Sequence, residues 1–146
     1  MAKRKAKYAE TEGLFDRLTF GDPAQELTTV ILLIPSHEKN ERPVANQGEV
    51  IKAGLELLAD LFDGATQLEA RSGIFKHQNQ YLVDRPMLLE SYASIEKLKD
   101  YGTLDQLVGF AKQVGRDLNQ AAVAIVLDDQ MHLIEKYADA PKKKLI

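Results

Sequence analysis

The chain has 146 residues, 45% of them hydrophobic, with a net charge of −3, which suits one folded domain able to bury its own core without metal or disulfide staples. It contains no cysteine, so disulfide frameworks, thiolate nucleophiles and cysteine-ligated zinc are excluded. The charge is uneven: Lys3, Arg4, Lys5 and Lys7 near one end and Lys142, Lys143 and Lys144 near the other leave residues 10–140 at −10, so any contact with nucleic acid is expected at the tails.

MAKRKAKYAE carries the charges of a signal peptide's first region without the apolar stretch that should follow. No segment reaches the length of a membrane span, and a cytoplasmic chain is expected. The expected organisation is a basic arm over residues 1–10, one domain over 11–137 and a basic tail over 138–146. Beyond the arm, Leu14, Phe15, Leu18 and Phe20 suit a short amphipathic element ending at the Gly21-Asp22-Pro23 turn, which reads as an accessory segment that covers something.

TTVILLIP, residues 28–35, is β-branched and apolar at both parities, as in a central strand buried on both faces. Asn46 followed by Glu49 matches a capping box ahead of the apolar stripe Val50, Ile51, Leu55, Leu58 and Phe62, predicting a helix over 47–62 that Asp63-Gly64 ends. Residues 65–75 alternate, with Leu68 and Ala70 assigned to the helix side and Gln67, Glu69 and Arg71 to the open side. KHQNQ is a turn; Pro86 cannot donate to a ladder, so the next strand begins at Met87. SIEKLKDYG forms a short helix or turn. Thr103 with Gln106 repeats the capping pattern before a second long helix, and a last strand starts near residue 121, bent or hairpinned at Asp128-Asp129.

Strand, helix, strand, strand, helix, strand, with a hairpin in the middle, predicts the α+β ferredoxin-like (βαββαβ) arrangement, an antiparallel sheet with two helices on one face. Its last strand lies beside its first, which would bring both basic tails to one end. Where LFDGATQLEARSGIF runs on into LVDRPMLLESYA, the chain resembles a loosely defined group of small uncharacterised bacterial proteins. The shared pattern is a helix ending in a Phe-x-Gly-x-Thr turn, a glycine-containing strand, and a strand finishing in Glu-Ser-Tyr. The resemblance implies the ferredoxin-like fold and supplies no function.

On the open face, Glu69, Arg71, Glu90 and Tyr92 join Leu88, Ala122, Ala124 and Val126. Three readings of that face stand. Two such faces stack into a dimer; the Leu14–Phe20 segment covers it; or a ligand sits there, with Arg71 as a forked anion donor and Tyr92 as a stacking surface. Glu69, Arg71 and Glu90 are either acid, clamp and base or a cross-strand ion pair.

Pro35 and Pro43 bracket a defined loop, SHEKN at its start, suited to recognition. No GxSxG elbow exposes Ser36 as a nucleophile, and His37 is read as a loop histidine that joins the candidate ligand site. His37, His77 and His132 show no HxH or HExxH spacing, and GxxxxGK[ST] and GxGxxG are missing, so no metal or cofactor is expected. The aromatic cluster of an RNA-binding sheet is missing too.

These observations predict a binding or assembly module, homodimeric through its sheet, with no catalytic residues assigned and an enzyme the less favoured reading. The alternatives are a nucleic-acid accessory protein acting through its seven basic tail residues, six lysines and one arginine, and an enzyme with Glu69, Arg71, Glu90 and His37 around one cleft. A further protein partner fits the first reading; a membrane fits none.

Overall fold

The computed structural model describes residues 26–145. The basic arm and the Leu14–Phe20 element expected from sequence lie outside them. In chain order the elements are β1 (Thr28–Ile34), α1 (Gln47–Phe62), β2 (Thr66–Glu69), β3 (Gly73–His77), β4 (Gln80–Asp84), β5 (Met87–Ala93), α2 (Ile95–Lys99), α3 (Tyr101–Asp117), β6 (Val123–Leu127) and β7 (Gln130–Ile134). Five strands form an antiparallel sheet in the order β2-β5-β1-β6-β7, while β3 and β4 make a separate two-stranded ribbon. The α+β character and the central position of TTVILLIP are as the sequence predicts.

One face of the sheet builds the core. Val30, Leu32 and Ile34 of β1, Leu89 and Ala93 of β5, and Val123 and Ile125 of β6 are buried against Val50, Ile51 and Leu58 of α1 and Leu107, Phe110, Ala111 and Val114 of α3. Close approach of α1 to the sheet requires Gly54, because a Cβ there would stand 2.5 Å from Leu89 Cδ1. Ser91, the polar residue of this inner row, donates its hydroxyl to the Gly64 carbonyl, which removes the cost of burying it unpaired.

Several local expectations change. Helix α1 begins where predicted, but Asn46 adopts a left-handed φ of 60° and makes no side-chain cap. The cap of α3 is Asp100, whose carboxylate accepts from the Thr103 N–H and hydroxyl; Thr103 is thereby inside the first turn and buried. The 65–75 segment is two strands, not one. The β2–β5 pairing, which sets Glu69 opposite Met87, resumes as β3–β4 with Gly73 opposite Asp84. The interruption inserts one extra residue on the outgoing side and lets the ribbon leave the sheet. Its tip, Gln78-Asn79, has two positive φ values, as does Asp128-Asp129 between β6 and β7, the backbone that two-residue hairpins prefer.

Register also corrects the assigned face of β2. Gln67 stands opposite the buried Leu89, and Leu68 opposite Leu88. Directly opposed residues share a face, so Leu68 lies on the open side while Gln67 and Glu69 lie on the helix side. Together with Ile31, Leu33, Leu88, Ala124, Val126, Met131 and Leu133, Leu68 makes the open face largely apolar, and Met131 and Leu133 are more than half exposed.

The start of β1 does lie beside the end of β6, with Val30 opposite Leu127. Strand β7 then turns the chain back. The segment expected as a C-terminal tail runs along α3: Arg116 donates to the Pro141 and Lys143 carbonyls, Gln113 Nε2 donates to Lys143, and the Leu145 N–H donates to Asp117. Tyr137 packs over Gly115, where a Cβ would come 2.1 Å from its ring.

Candidate functional site

The loop that leaves β1 is held on every side. Glu38 N–H donates to Arg42 O at 2.7 Å and Val44 N–H to Ser36 O at 2.8 Å, closing a small ribbon around Glu41, whose φ is 68°. Lys39 N–H donates to Asn119 O, Gln120 Nε2 to His37 O, and Gln47 Nε2 to Pro35 O. Two prolines and contacts from α1 and the α3–β6 connection therefore fix the segment that the sequence marks as a defined loop.

Asp84, at the end of β4, organises the start of this loop. Its Oδ1 accepts the Ser36 N–H at 2.7 Å and the Arg85 N–H at 2.9 Å, and it accepts the Ser36 hydroxyl as well. Ser36 Oγ in turn lies 2.8 Å from the donating Arg85 N–H and 2.7 Å from His37 Nδ1. His37 Nδ1 is 3.8 Å from Asp84 Oδ1. Serine, histidine and aspartate thus converge, with the hydroxyl turned to the carboxylate; a hydrolytic triad has the serine donate to the histidine instead. Forty-eight residues separate Ser36 from Asp84, a pairing that no local spacing reveals. The only sequence trace of Asp84 is a polar residue closing the YLV run immediately before Arg85-Pro86.

His37 and Asp84 line a cleft of about 430 Å³ between this loop, the β3–β4 ribbon, residues 120–124 and the adjoining corner of the open sheet face. Its floor is Leu33, Ala124 and Leu133; Lys76, His77, Leu82 and Val83 of the ribbon form one wall. Among the described residues the lining carries four carboxylates, Glu38, Glu41, Asp84 and Glu135, against two ammonium groups, Lys39 and Lys76. That imbalance favours a cationic or neutral occupant over an anion.

The other residues singled out from sequence do not join His37. Glu90 and Tyr92 are neighbours on the open face, and Tyr92 donates its phenol to Glu90 at 2.8 Å. The hydrogen bond and then the charge of Glu90 hold the phenol above its ordinary pKa. Yet Tyr92 pairs with Thr29 and Met87 with Ile34, so the Tyr92 row stands about 17 Å along the strands from the row nearest His37, at roughly 3.4 Å per residue. Glu69 falls on the helix side at the sheet edge and Arg71 lies exposed between β2 and β3; the ion pairs among the described residues, such as Lys112–Asp139 and Arg116–Asp117, do not join them to Glu90. Of the basic residues, Lys3, Arg4, Lys5 and Lys7 lie outside the described residues; Lys142, Lys143 and Lys144 belong to the segment laid along α3. Among the described residues, no cluster of three or more His, Asp or Glu side chains is arranged to hold a metal ion, and no helix is long and apolar enough to cross a membrane.

No protein-family model matches this chain, and no curated protein matches it. Among solved structures it is similar to a phage SAM lyase in complex with S-methyl-5′-thioadenosine, with a TM-score of 0.56 and 9% identity over 79% of this chain and 94% of that one. The apo state of phage SAM lyase gives 0.55 and 11%, covering 78% and 97%. At such identity the likeness is one of fold.

Proposed function

We propose that the domain binds a small nucleoside-type metabolite, a cationic adenosyl sulfonium of the SAM kind or its thioether relative, in the cleft beside His37 and Asp84. The observation that carries this reading is the convergence of a fixed polar constellation with an apolar floor in one concavity of about 430 Å³. Ligand pockets typically measure 300–1,000 Å³ and combine apolar walls with a few placed polar groups. The excess of carboxylates suits a sulfonium. Likeness of fold to a SAM lyase, over nearly all of that protein's length, supports this choice of ligand class; fold alone does not give the reaction. Calorimetric titration with SAM, S-methyl-5′-thioadenosine and adenosine tests it. SAM should bind more tightly than uncharged adenosine and lose affinity in high salt, and absence of heat with all three would overturn the proposal.

A second reading concerns assembly, and the apolar open face favours it: Ile31, Leu33, Leu88, Val126, Met131 and Leu133 form a continuous patch of a kind that interfaces use. On this reading two copies stack their sheets, the cleft lies at the rim of the joint, and the protein works in the cytoplasm as a homodimer. The order β2-β5-β1-β6, read with α1 and α3, supports the ferredoxin-like arrangement, to which the β3–β4 ribbon and β7 are additions.

A further inference from the structure

The hydrogen bonds around Ser36 determine where protons sit. A serine hydroxyl has one proton and two lone pairs. Asp84 Oδ1 already accepts two backbone N–H groups, from Ser36 and Arg85, so toward Ser36 it is again the acceptor, and the hydroxyl proton points to it. One lone pair of Oγ faces the Arg85 N–H at 2.8 Å, and the other faces His37 Nδ1 at 2.7 Å. No proton of Ser36 is left for the imidazole, so the proton in that last contact belongs to Nδ1.

We propose that Ser36, held by Asp84, is a positioning residue that locks His37 as the Nδ1–H tautomer and so presents Nε2 as a proton acceptor to the cleft. The hydrogen bond made by one ring nitrogen sets the role of the other. Among the described residues no hydrogen bond reaches Nε2 and no buried side-chain nitrogen is unpaired, so Nε2 is solvent-accessible, on a partly exposed ring that lines the cleft. Both the neutral ring and the imidazolium keep the Nδ1–H to Ser36. A proton therefore arrives at or leaves Nε2 without any rearrangement of the loop. In such a step the Nε2 lone pair forms the new N–H bond, the O–H, N–H or activated C–H bond of the ligand breaks, and its electron pair stays on the ligand.

The inference deepens the ligand reading above and rests on it for the chemistry, whereas the tautomer itself is measurable without ligand. In long-range proton–nitrogen correlation spectra of the uniformly labelled protein in mildly alkaline buffer, His37 should show a protonated-type Nδ1 and an unprotonated-type Nε2. Ser36→Ala should lose that signature, Ser36→Thr should keep it, and the His77 and His132 patterns should not change. An Nε2–H tautomer in the wild type, or an unaltered His37 pattern in Ser36→Ala, overturns the assignment. Should Ser36→Ala fail to fold, the wild-type and Ser36→Thr spectra still decide. An Nδ1–H His37 in a protein that binds none of the three ligands would sink the ligand reading and leave the positioning role standing; ligand binding beside an Nε2–H ring would do the reverse.

Discussion

Replacing Asp84 by alanine should destabilise the fold as well as empty the site of its organiser. Asp84 accepts the Ser36 N–H, the Ser36 hydroxyl and the Arg85 N–H, and its side chain is 14% exposed. A hydrogen bond to a charged group contributes about 1.5–3 kcal/mol. The Arg85 N–H keeps Ser36 Oγ as a second acceptor at 2.8 Å, so two contacts are lost outright, roughly 3 kcal/mol at the lower bound. Water entering the open cleft returns about 1 kcal/mol, leaving a net loss of ~2 kcal/mol. For a chain of this size that lowers Tm by about 6–8 °C. Asp84→Asn, which keeps a neutral acceptor, should cost about half as much. Urea unfolding followed by circular dichroism measures the loss, with an unchanged m-value if the damage is local. A double-mutant cycle with Ser36→Ala should give a coupling of about 1 kcal/mol. A loss below ~0.5 kcal/mol, the range of an ordinary surface substitution, or strict additivity with Ser36→Ala, would refute the idea that Asp84 holds the loop.

Gly115→Ala must displace the Tyr137 ring. Overpacking of about 1–3 kcal/mol, less about 1 kcal/mol gained in helix propensity, gives a net loss of ~1 kcal/mol. Burial foremost, and the Glu135 charge second, raise the Tyr137 phenol, so a spectrophotometric titration should find it closer to its ordinary value in that variant. At Asp117, burial pushes the carboxyl up, but the hydrogen bonds from Arg116 and the Leu145 N–H and the charges of Arg116 and Lys144 together hold it below its ordinary value. A depressed folded-state pKa stabilises above the unfolded value of about pH 4, and that contribution is lost as pH falls below it; Asp117→Asn should therefore flatten the acid limb of the stability profile. Ala124→Glu places a charge on the open face. If copies stack there, light scattering across a dilution series should show a dimer in the wild type and a monomer in the variant, whereas equal masses for both would remove that interface.

The parts of this molecule legible in its sequence are those governed by local pattern. The apolar stripe of α1 and its stop at Asp63, the β-branched run of β1, and the Asp128-Asp129 hairpin each follow from periodicity or turn chemistry. The face of Leu68 does not. Alternation tells inside from outside only when the outer face is polar, and here Leu33, Leu88 and Leu133 make the outer face apolar as well. Asn46 shows the same limit on a smaller scale, because a capping-box pattern does not report a left-handed φ. At the site, His37 and the bracketing prolines were visible, but Asp84 was hidden by the 48 residues separating it from Ser36 and by a ribbon that leaves the sheet. Tyr92 and Glu90 share a face with the cleft floor, yet strand rise carries Tyr92 to the far end of that face, with Glu90 midway along it opposite Ile31.

The most direct test of the proposed binding site is a backbone amide titration of the labelled protein with SAM and, separately, with S-methyl-5′-thioadenosine. Saturable shifts at His37, Lys76, Asp84, Gln120 and Ala124, and few at Glu90 or Tyr92, are the result expected of a ligand in the cleft beside β4. Shifts centred on Tyr92 and the far end of the open face, or none at all, would contradict it.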